Sequence, residues 1–283
     1  MIGKAIRFLK SVRSRQQLIL SMARAGSVAP LRSLDPASPQ TWEFRGFSQH
    51  GEDGILDYLT RQLIAPSRSF VEIGIGDGTE NNSTWFVLAH YYRGLMIDGS
   101  AKGVMWARHL LQSGNFGVRF DHVFVTVEDI WKVLRLIEPE DNPDFFSLDI
   151  DGNDYWIAQA ILKAGLRPKI WVVEYNSAYG PKRCVSIPYN RTFAARQGRG
   201  VSLYYGCSIA AWRHLMESRG YRFVTVESCG CNAFFADAQA FSEEFLAGIQ
   251  GTEFRENSSH LREYGPGWTQ HMKLLDGYDI VEV

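Results

Sequence analysis

The sequence predicts an α/β protein built on a doubly wound, Rossmann-like sheet, mostly parallel with an antiparallel last strand. Three observations carry this. From residue 69 onward, short apolar runs alternate with stretches of helical periodicity. Glycines or acids stand just beyond the apolar runs, as at IGIGDG, IDG and LDIDGND. The alternation closes with two apolar runs parted only by SCGC. Repeated strand–helix units give a parallel sheet with helices on both faces, and a closing hairpin reverses the final strand.

The predicted elements run in this order. SFVEIGI (69–75) reads as a buried strand, because it is continuously apolar and ends in glycines. A helix over 80–91 starts near Thr79 or Asn81. GLMID (94–98) is the second strand, and 101–114 a helix stopped by glycine. DHVFVTV (121–127) is the third strand. The helix over 128–137 has acids in its first turn and Lys132 and Arg135 toward its end, the order its dipole favours. DFFSLDI (144–150), the helix over 154–165 and KIWVVEY (169–175) follow, then an irregular stretch over 176–206. A helix over 207–220 leads to the hairpin of 221–227 and 232–236.

The chain has 283 residues, 30 Lys+Arg against 31 Asp+Glu, and 45% apolar residues. This balance argues against holding nucleic acid by overall basicity, and the aromatic content and absence of repeats exclude disordered and collagen-like chains. Cys229 and Cys231 are one residue short of C-x-x-C spacing, so the four cysteines read as reduced thiols of a cytoplasmic protein. Residues 1–44 form a basic amphipathic helix and a proline-rich linker. Over residues 1–26 Ile2, Ile6, Leu9 and Val12 recur at helical spacing among six bases, and no acid precedes Asp35. Such a helix packs on the domain or on a second subunit, or lies on an anionic membrane surface. It lacks the long apolar core of a signal or spanning segment.

Ligands of open α/β sheets bind beyond the carboxyl ends of the strands. Gly74, Gly76 and Gly78 let the first turn approach a ligand closely, and Asp98, after the second strand, is placed to accept from ribose hydroxyls. The pair predicts a nucleoside-containing ligand. Phosphate is not required, because the turn has no Lys-Ser/Thr cradle. Asp149, Asp151, Asn153 and Asp154 follow the fourth strand, and Glu174 and Asn176 the fifth. Adjacent strands bring these groups together. They suit a divalent cation or catalytic acids, polar substrate contacts, or plain capping of the next helix by Asn153 or Asp154. An EF-hand is excluded, because position 12 counted from Asp149 is Ala160.

SQHGEDGI (48–55), FVEIGIGDGTENN (70–82), GLMIDGS (94–100), FFSLDIDGNDYW (145–156), VVEYNSAYGP (172–181) and NAFFA (232–236) together resemble a branch of the FkbM-like class I S-adenosylmethionine-dependent methyltransferases. The resemblance implies the class I methyltransferase fold, a seven-stranded sheet within a domain spanning 45–239. It implies Glu72, Gly74, Gly76 and Gly78 as the first cofactor motif and Asp98 as the ribose acid. Glu128 and Asp129 would lie against the adenine, and Ser48, Gln49 and Glu52 would close over the cofactor. Many FkbM-like chains read D-x-G-A-N-x-G where this one has Glu72-Ile-Gly-Ile-Gly-Asp-Gly.

Class I catechol-type and some sugar methyltransferases place metal ligands after strands four and five, which here implies Mg²⁺ or Mn²⁺ on Asp149 or Asp151 and on Glu174 or Asn176. The expected reaction is O-methylation of a hydroxylated small-molecule or glycan acceptor, with Asp149, Asp151 and His50 as catalytic groups and His122 a further candidate base. The stretch 176–206 reads as an acceptor lid or as a solvated basic loop. Asn153, Tyr179, Lys182, Arg183 and Tyr189 are the expected substrate contacts, and Arg196 and Arg199 add charge. Residues 240–283 carry no motif. An NAD-linked Rossmann oxidoreductase and a non-catalytic binding module are the competing functions.

Overall fold

The computed structural model describes residues 2–137, 142–193 and 202–283, with side chains from residue 12 onward. Arg196 and Arg199 lie outside the described residues. The chain opens on a long helix, α1 (Ile2–Val28). Helix α2 (Glu52–Arg61) precedes the sheet and escaped the sequence analysis, although Glu52 and Asp53 mark its first turn and Arg61 its last. The order is then β1 (Ser69–Ile73), α3 (Thr84–Ala89), β2 (Arg93–Asp98), α4 (Ala101–Leu111), β3 (Val118–His122), α5 (Ile130–Leu134), β4 (Phe145–Leu148), α6 (Asp154–Lys163) and β5 (Ile170–Glu174). After a two-residue strand β6 (Val185–Ser186) come α7 (Ile209–Glu217), β7 (Tyr221–Val226) and β8 (Asn232–Asp237). Three short helices, α8 (Glu243–Gly248), α9 (Ser258–Tyr264) and α10 (Trp268–Leu274), lead to β9 (Val281–Glu282).

Seven strands make one sheet in the order β3-β2-β1-β4-β5-β8-β7. β1 to β5 pair in parallel, and β8 runs antiparallel between β5 and β7. This is the doubly wound, seven-stranded arrangement expected from the sequence. Alternation along the strands builds its two faces. Phe70, Phe145, Val172 and Phe234 enter one core with α2, α3 and α4. Val71, Phe146, Trp171 and Phe235 enter the other with α6 and α7.

The third strand is Val118–His122 rather than 121–127. It is an edge strand paired only with β2, so it alternates, with Val118 and Phe120 buried and Arg119 exposed. The apolar run that suggested a strand, Val123–Phe124–Val125, continues past it and walls the cleft described below.

The described residues of 176–193 and 202–206 pack with the C-terminal stretch. β6 pairs with β9 through Val185 and Glu282, and Tyr179, Leu203 and Leu275 share a third apolar cluster. Among the described residues no helix is long and apolar enough to cross a membrane.

Candidate functional site

A cleft of about 810 Å³ opens at the carboxyl ends of β1, β2, β4 and β5. One wall begins with the turn after β1. Gly74 (φ +97°) and Gly76 (φ +57°) adopt conformations that favour glycine. A Cβ on Gly74 would lie 1.6 Å from the Asp149 carbonyl oxygen, so the β1 turn and the end of β4 touch through bare backbone. Asp98, at the end of β2, accepts from the Gly76 N–H at 2.8 Å and from the Ser100 N–H at 2.6 Å. Gly74, Gly76 and Asp98 all line the cleft. Gly78 does not: its Cβ position would meet Ala107 at 2.8 Å, so it serves the close approach of α4.

Glu72 is buried beneath this turn rather than facing the cleft. Its carboxylate accepts from the N–H groups of Asn82 and Ser83 at 2.8 and 3.0 Å, and from the Ser83 hydroxyl. Burial raises its pKa to about 7. Those N–H groups stand at the entry to α3, where a Rossmann dinucleotide fold would bind pyrophosphate. Here an internal carboxylate takes them.

The opposite wall holds carboxylates. Asp149, Asp151 and Glu174 each offer an oxygen, all within 4.8 Å of one another, and all three line the cleft. Asp151 sits at φ +54°, which turns the chain sharply ahead of α6. Asp154 accepts from the Ile150 and Gly152 N–H groups at 2.7 and 2.8 Å and so fixes this turn. Desolvation pushes Asp149 and Glu174 well above the ordinary carboxylate range, helped by the charges of Asp151 and Asp154 at Asp149 and of Asp149 and Asp151 at Glu174. One buried Glu174 oxygen, Oε2, has no hydrogen-bond partner. An orphaned buried oxygen beside two further carboxylates fits a hard divalent cation.

The remaining expected residues divide. Gln49 and Asn153 line the cleft. Asn153 also exchanges hydrogen bonds with the Asn190 backbone at 2.8 and 3.2 Å, and so ties the stretch after β6 to the site. Ser48 and Glu52 lie behind the wall. Ser48 bonds Asp53, while Glu52 accepts from Asn232 Nδ2 and the His50 N–H. The side chains of His50 and His122 are not among the cleft lining.

Glu128 and Asp129 are outside the lining too. Glu128 accepts from the Tyr189 hydroxyl at 2.6 Å and Asp129 pairs with Arg191 at 3.2 Å, so these acids anchor the stretch after β6. Val123, Phe124 and Val125 stand in their place on the cleft wall.

Asn176 is fully buried away from the carboxylates. It donates to the carbonyls of Leu203 and Tyr205 and accepts from the Ala178 N–H, so its amide is spent on the loop. Tyr179 is buried and donates to the Tyr205 carbonyl. Lys182 is exposed, Arg183 pairs with Glu282, and neither lines the cleft.

Sequence reasoning missed Lys102, Trp106 and Phe193, which also line the cleft. Trp106 lies on the helix after Asp98, where a turn-facing aromatic was a readable signal. Phe193 covers Gly152, whose Cβ position would meet the Phe193 ring at 2.5 Å, and no local pattern marks it. A buried polar array also went unread. His260 bridges the Ser177 and Tyr205 hydroxyls, each at 3.2 Å. Burial and the neighbouring His271 lower its pKa to about 4 and keep it neutral, so one ring nitrogen donates and the other accepts. Desolvation, then the charge of Glu174, push the Tyr205 hydroxyl far up.

No family model and no curated protein matches the chain. Among solved structures it is similar to the O-methyltransferase from Bacillus cereus in complex with SAH, at 15% identity, over 79% of this chain and 89% of that one, with a TM-score of 0.44. It is also similar to the O-methyltransferase TomG from Streptomyces achromogenes, at 17% identity, over 67% and 80% of the two chains, with a TM-score of 0.43. The DszA carbon methyltransferase matches at 14% identity over 66% of this chain, with a TM-score of 0.42. This chain spans about half of that structure's length, 52%. The likeness is one of fold alone.

Proposed function

We propose that this chain is an S-adenosylmethionine-dependent O-methyltransferase of the FkbM-like kind, acting with Mg²⁺ or Mn²⁺ on a hydroxyl of a sugar. The observation that supports this most is the pairing of two unlike walls in one cleft. One carries a glycine turn locked to Asp98, and the other carries Asp149, Asp151 and Glu174. Glu72 favours this cofactor over a dinucleotide. A carboxyl group that already accepts from the N–H groups ahead of α3 leaves neither of them for a pyrophosphate, and an uncharged ribose is unaffected.

When bound, S-adenosylmethionine supplies an electrophilic methyl on a sulfonium, whose leaving group, the neutral thioether of S-adenosylhomocysteine, needs no acid. The chain's part is to bind and align. Asp98 keeps lone pairs beyond its two backbone bonds for ribose hydroxyls, and Trp106 and Phe124 offer apolar faces to a flat base. Asp149, Asp151 and Glu174 would hold the cation, whose chemistry is to lower the pKa of a bound hydroxyl. Asp151, the most exposed of the three, is the group we assign to accept the hydroxyl proton. Phe193 presents a ring to the acceptor end of the cleft, a surface suited to a sugar face. Holding a dry nucleophile in line with the methyl supplies most of the acceleration.

The test is transfer of labelled methyl from S-adenosylmethionine to a panel of glycans and glycosides, with Mg²⁺ or with chelator. Transfer that stops on chelation and returns with Mg²⁺ supports the whole reading. Full transfer in chelator removes the cation and keeps the methyltransferase.

A further inference from the structure

Helix α1 has two apolar faces, and only one of them is used. Ser14 and Ala25 are buried against the domain, and Leu18 and Met22 pack on the same core. Opposite them Ile19 and Leu20 are 69% and 65% exposed, and Val12 is 38% exposed. Val12, Ile19 and Leu20 fall on one side of the helix, opposite the buried Ser14 and Ala25 and the half-buried Leu18. Two successive large aliphatic residues held in water point to a contact surface.

Charge selects the occupant. Lys4, Arg7, Lys10, Arg13, Arg15 and Arg24 lie on this helix, and no acid precedes Asp35. Arg13, Arg15 and Arg24 are exposed. The chain as a whole has net charge -1, so the rest of it is acidic. A second copy of the helix would set six bases against six, which disfavours pairing with itself. An anionic plane attracts the helix and repels the acidic body, which leaves one orientation.

We propose that α1 docks the protein on the surface of an anionic lipid bilayer, with Ile19 and Leu20 entering the acyl boundary and the arginines against the headgroups. The helix lies in the plane of the surface and does not cross it. Several bases and a short apolar stripe together give reversible, salt-sensitive binding, because neither suffices alone.

The experiment is co-sedimentation of the full chain with vesicles of phosphatidylcholine alone, and of phosphatidylcholine with an equal part of phosphatidylglycerol. The expected result is sedimentation with the anionic vesicles only, weakened by added salt. I19E/L20E, two exposed changes that leave the buried face intact, should cut the bound fraction at least tenfold, with the melting temperature unchanged. Equal sedimentation with both vesicles, or with neither, overturns the proposal. So does a wild-type dimer in light scattering that I19E/L20E converts to monomer, because the stripe would then be an interface between copies.

Discussion

The Gly76 N–H donates to Asp98 Oδ2 at 2.8 Å, so the turn after β1 and the acid after β2 form one unit. The other oxygen, Oδ1, accepts from the Ser100 N–H at 2.6 Å. One carboxylate thus holds two loops at the spacing of the cleft, and still has lone pairs facing into it. An amide at this position would turn an NH₂ toward one of those N–H groups. Asp98→Asn should therefore weaken S-adenosylhomocysteine binding by about 10–100-fold, the loss expected for a hydrogen bond to a charged group. Ligand-induced quenching of tryptophan fluorescence measures it, and unchanged affinity would detach Asp98 from the ligand.

Two glycines two residues apart should respond differently to alanine. At Gly74 the new methyl would lie 1.6 Å from the Asp149 carbonyl oxygen, on top of a positive φ. At Gly76 the same methyl meets nothing within 4 Å, and only the left-handed backbone opposes it. Gly74→Ala should cost several times more melting temperature than Gly76→Ala, for which a loss of about 1 kcal/mol is expected. Differential scanning calorimetry of the pair decides it.

The acidic wall makes a prediction about pH. Asp149 and Glu174 are held above the ordinary carboxylate range by burial, and next by the neighbouring carboxylates, Asp151 among them. Glu72 follows the same sign, with a pKa of about 7. The folded state then retains protons that the unfolded state releases. Stability is present in acid, and is lost as pH rises from the ordinary carboxylate value through the raised ones. Without metal, the melting temperature should fall from about pH 4 toward pH 7. Asp149→Asn should lessen that fall, and added Mg²⁺ should raise the melting temperature of the wild type more than that of the variant. Identical profiles for the wild type and Asp149→Asn without metal would contradict the buried pair.

His260 has the opposite sign. Its pKa is lowered to about 4 by burial and by His271, so the unfolded chain binds a proton that the folded chain refuses. That contribution is intact above about pH 6.5 and erodes as pH falls toward 4, by at most about 3 kcal/mol. His260→Gln, which keeps a donor and an acceptor between Ser177 and Tyr205, should remove this part of the acid sensitivity. Urea melts at pH 7.5 and pH 5 would separate the two forms.

What could be read from the residues, and what could not, follows from the range of the contacts. Central strands buried on both faces appear as unbroken apolar runs, so the runs of β1, β4 and β5 were visible. The edge strand β3 alternates as VRFDH, and was displaced by the apolar VFV that follows it. The pairing of a glycine turn with Asp98, and of Asp149 with Glu174, was legible because chain order puts neighbouring strand ends together. Asn176 and Tyr179 were misplaced because their partners lie far along the chain, in a loop braced by Val185 against Glu282. Glu72 looked like a ligand residue, and its capping of the turn before α3 depends on the depth at which β1 ends. Phe193 reaches the cleft only through the fold of the loop that carries it.

The central claim is that the cleft beside Asp98 takes S-adenosylmethionine. Isothermal titration calorimetry of the full chain with S-adenosylhomocysteine, with NADH as a parallel titrant, tests it most directly. The account predicts saturable one-to-one binding of S-adenosylhomocysteine, weakened by Asp98→Asn, and no heat from NADH. Saturable NADH binding with none for S-adenosylhomocysteine would contradict it.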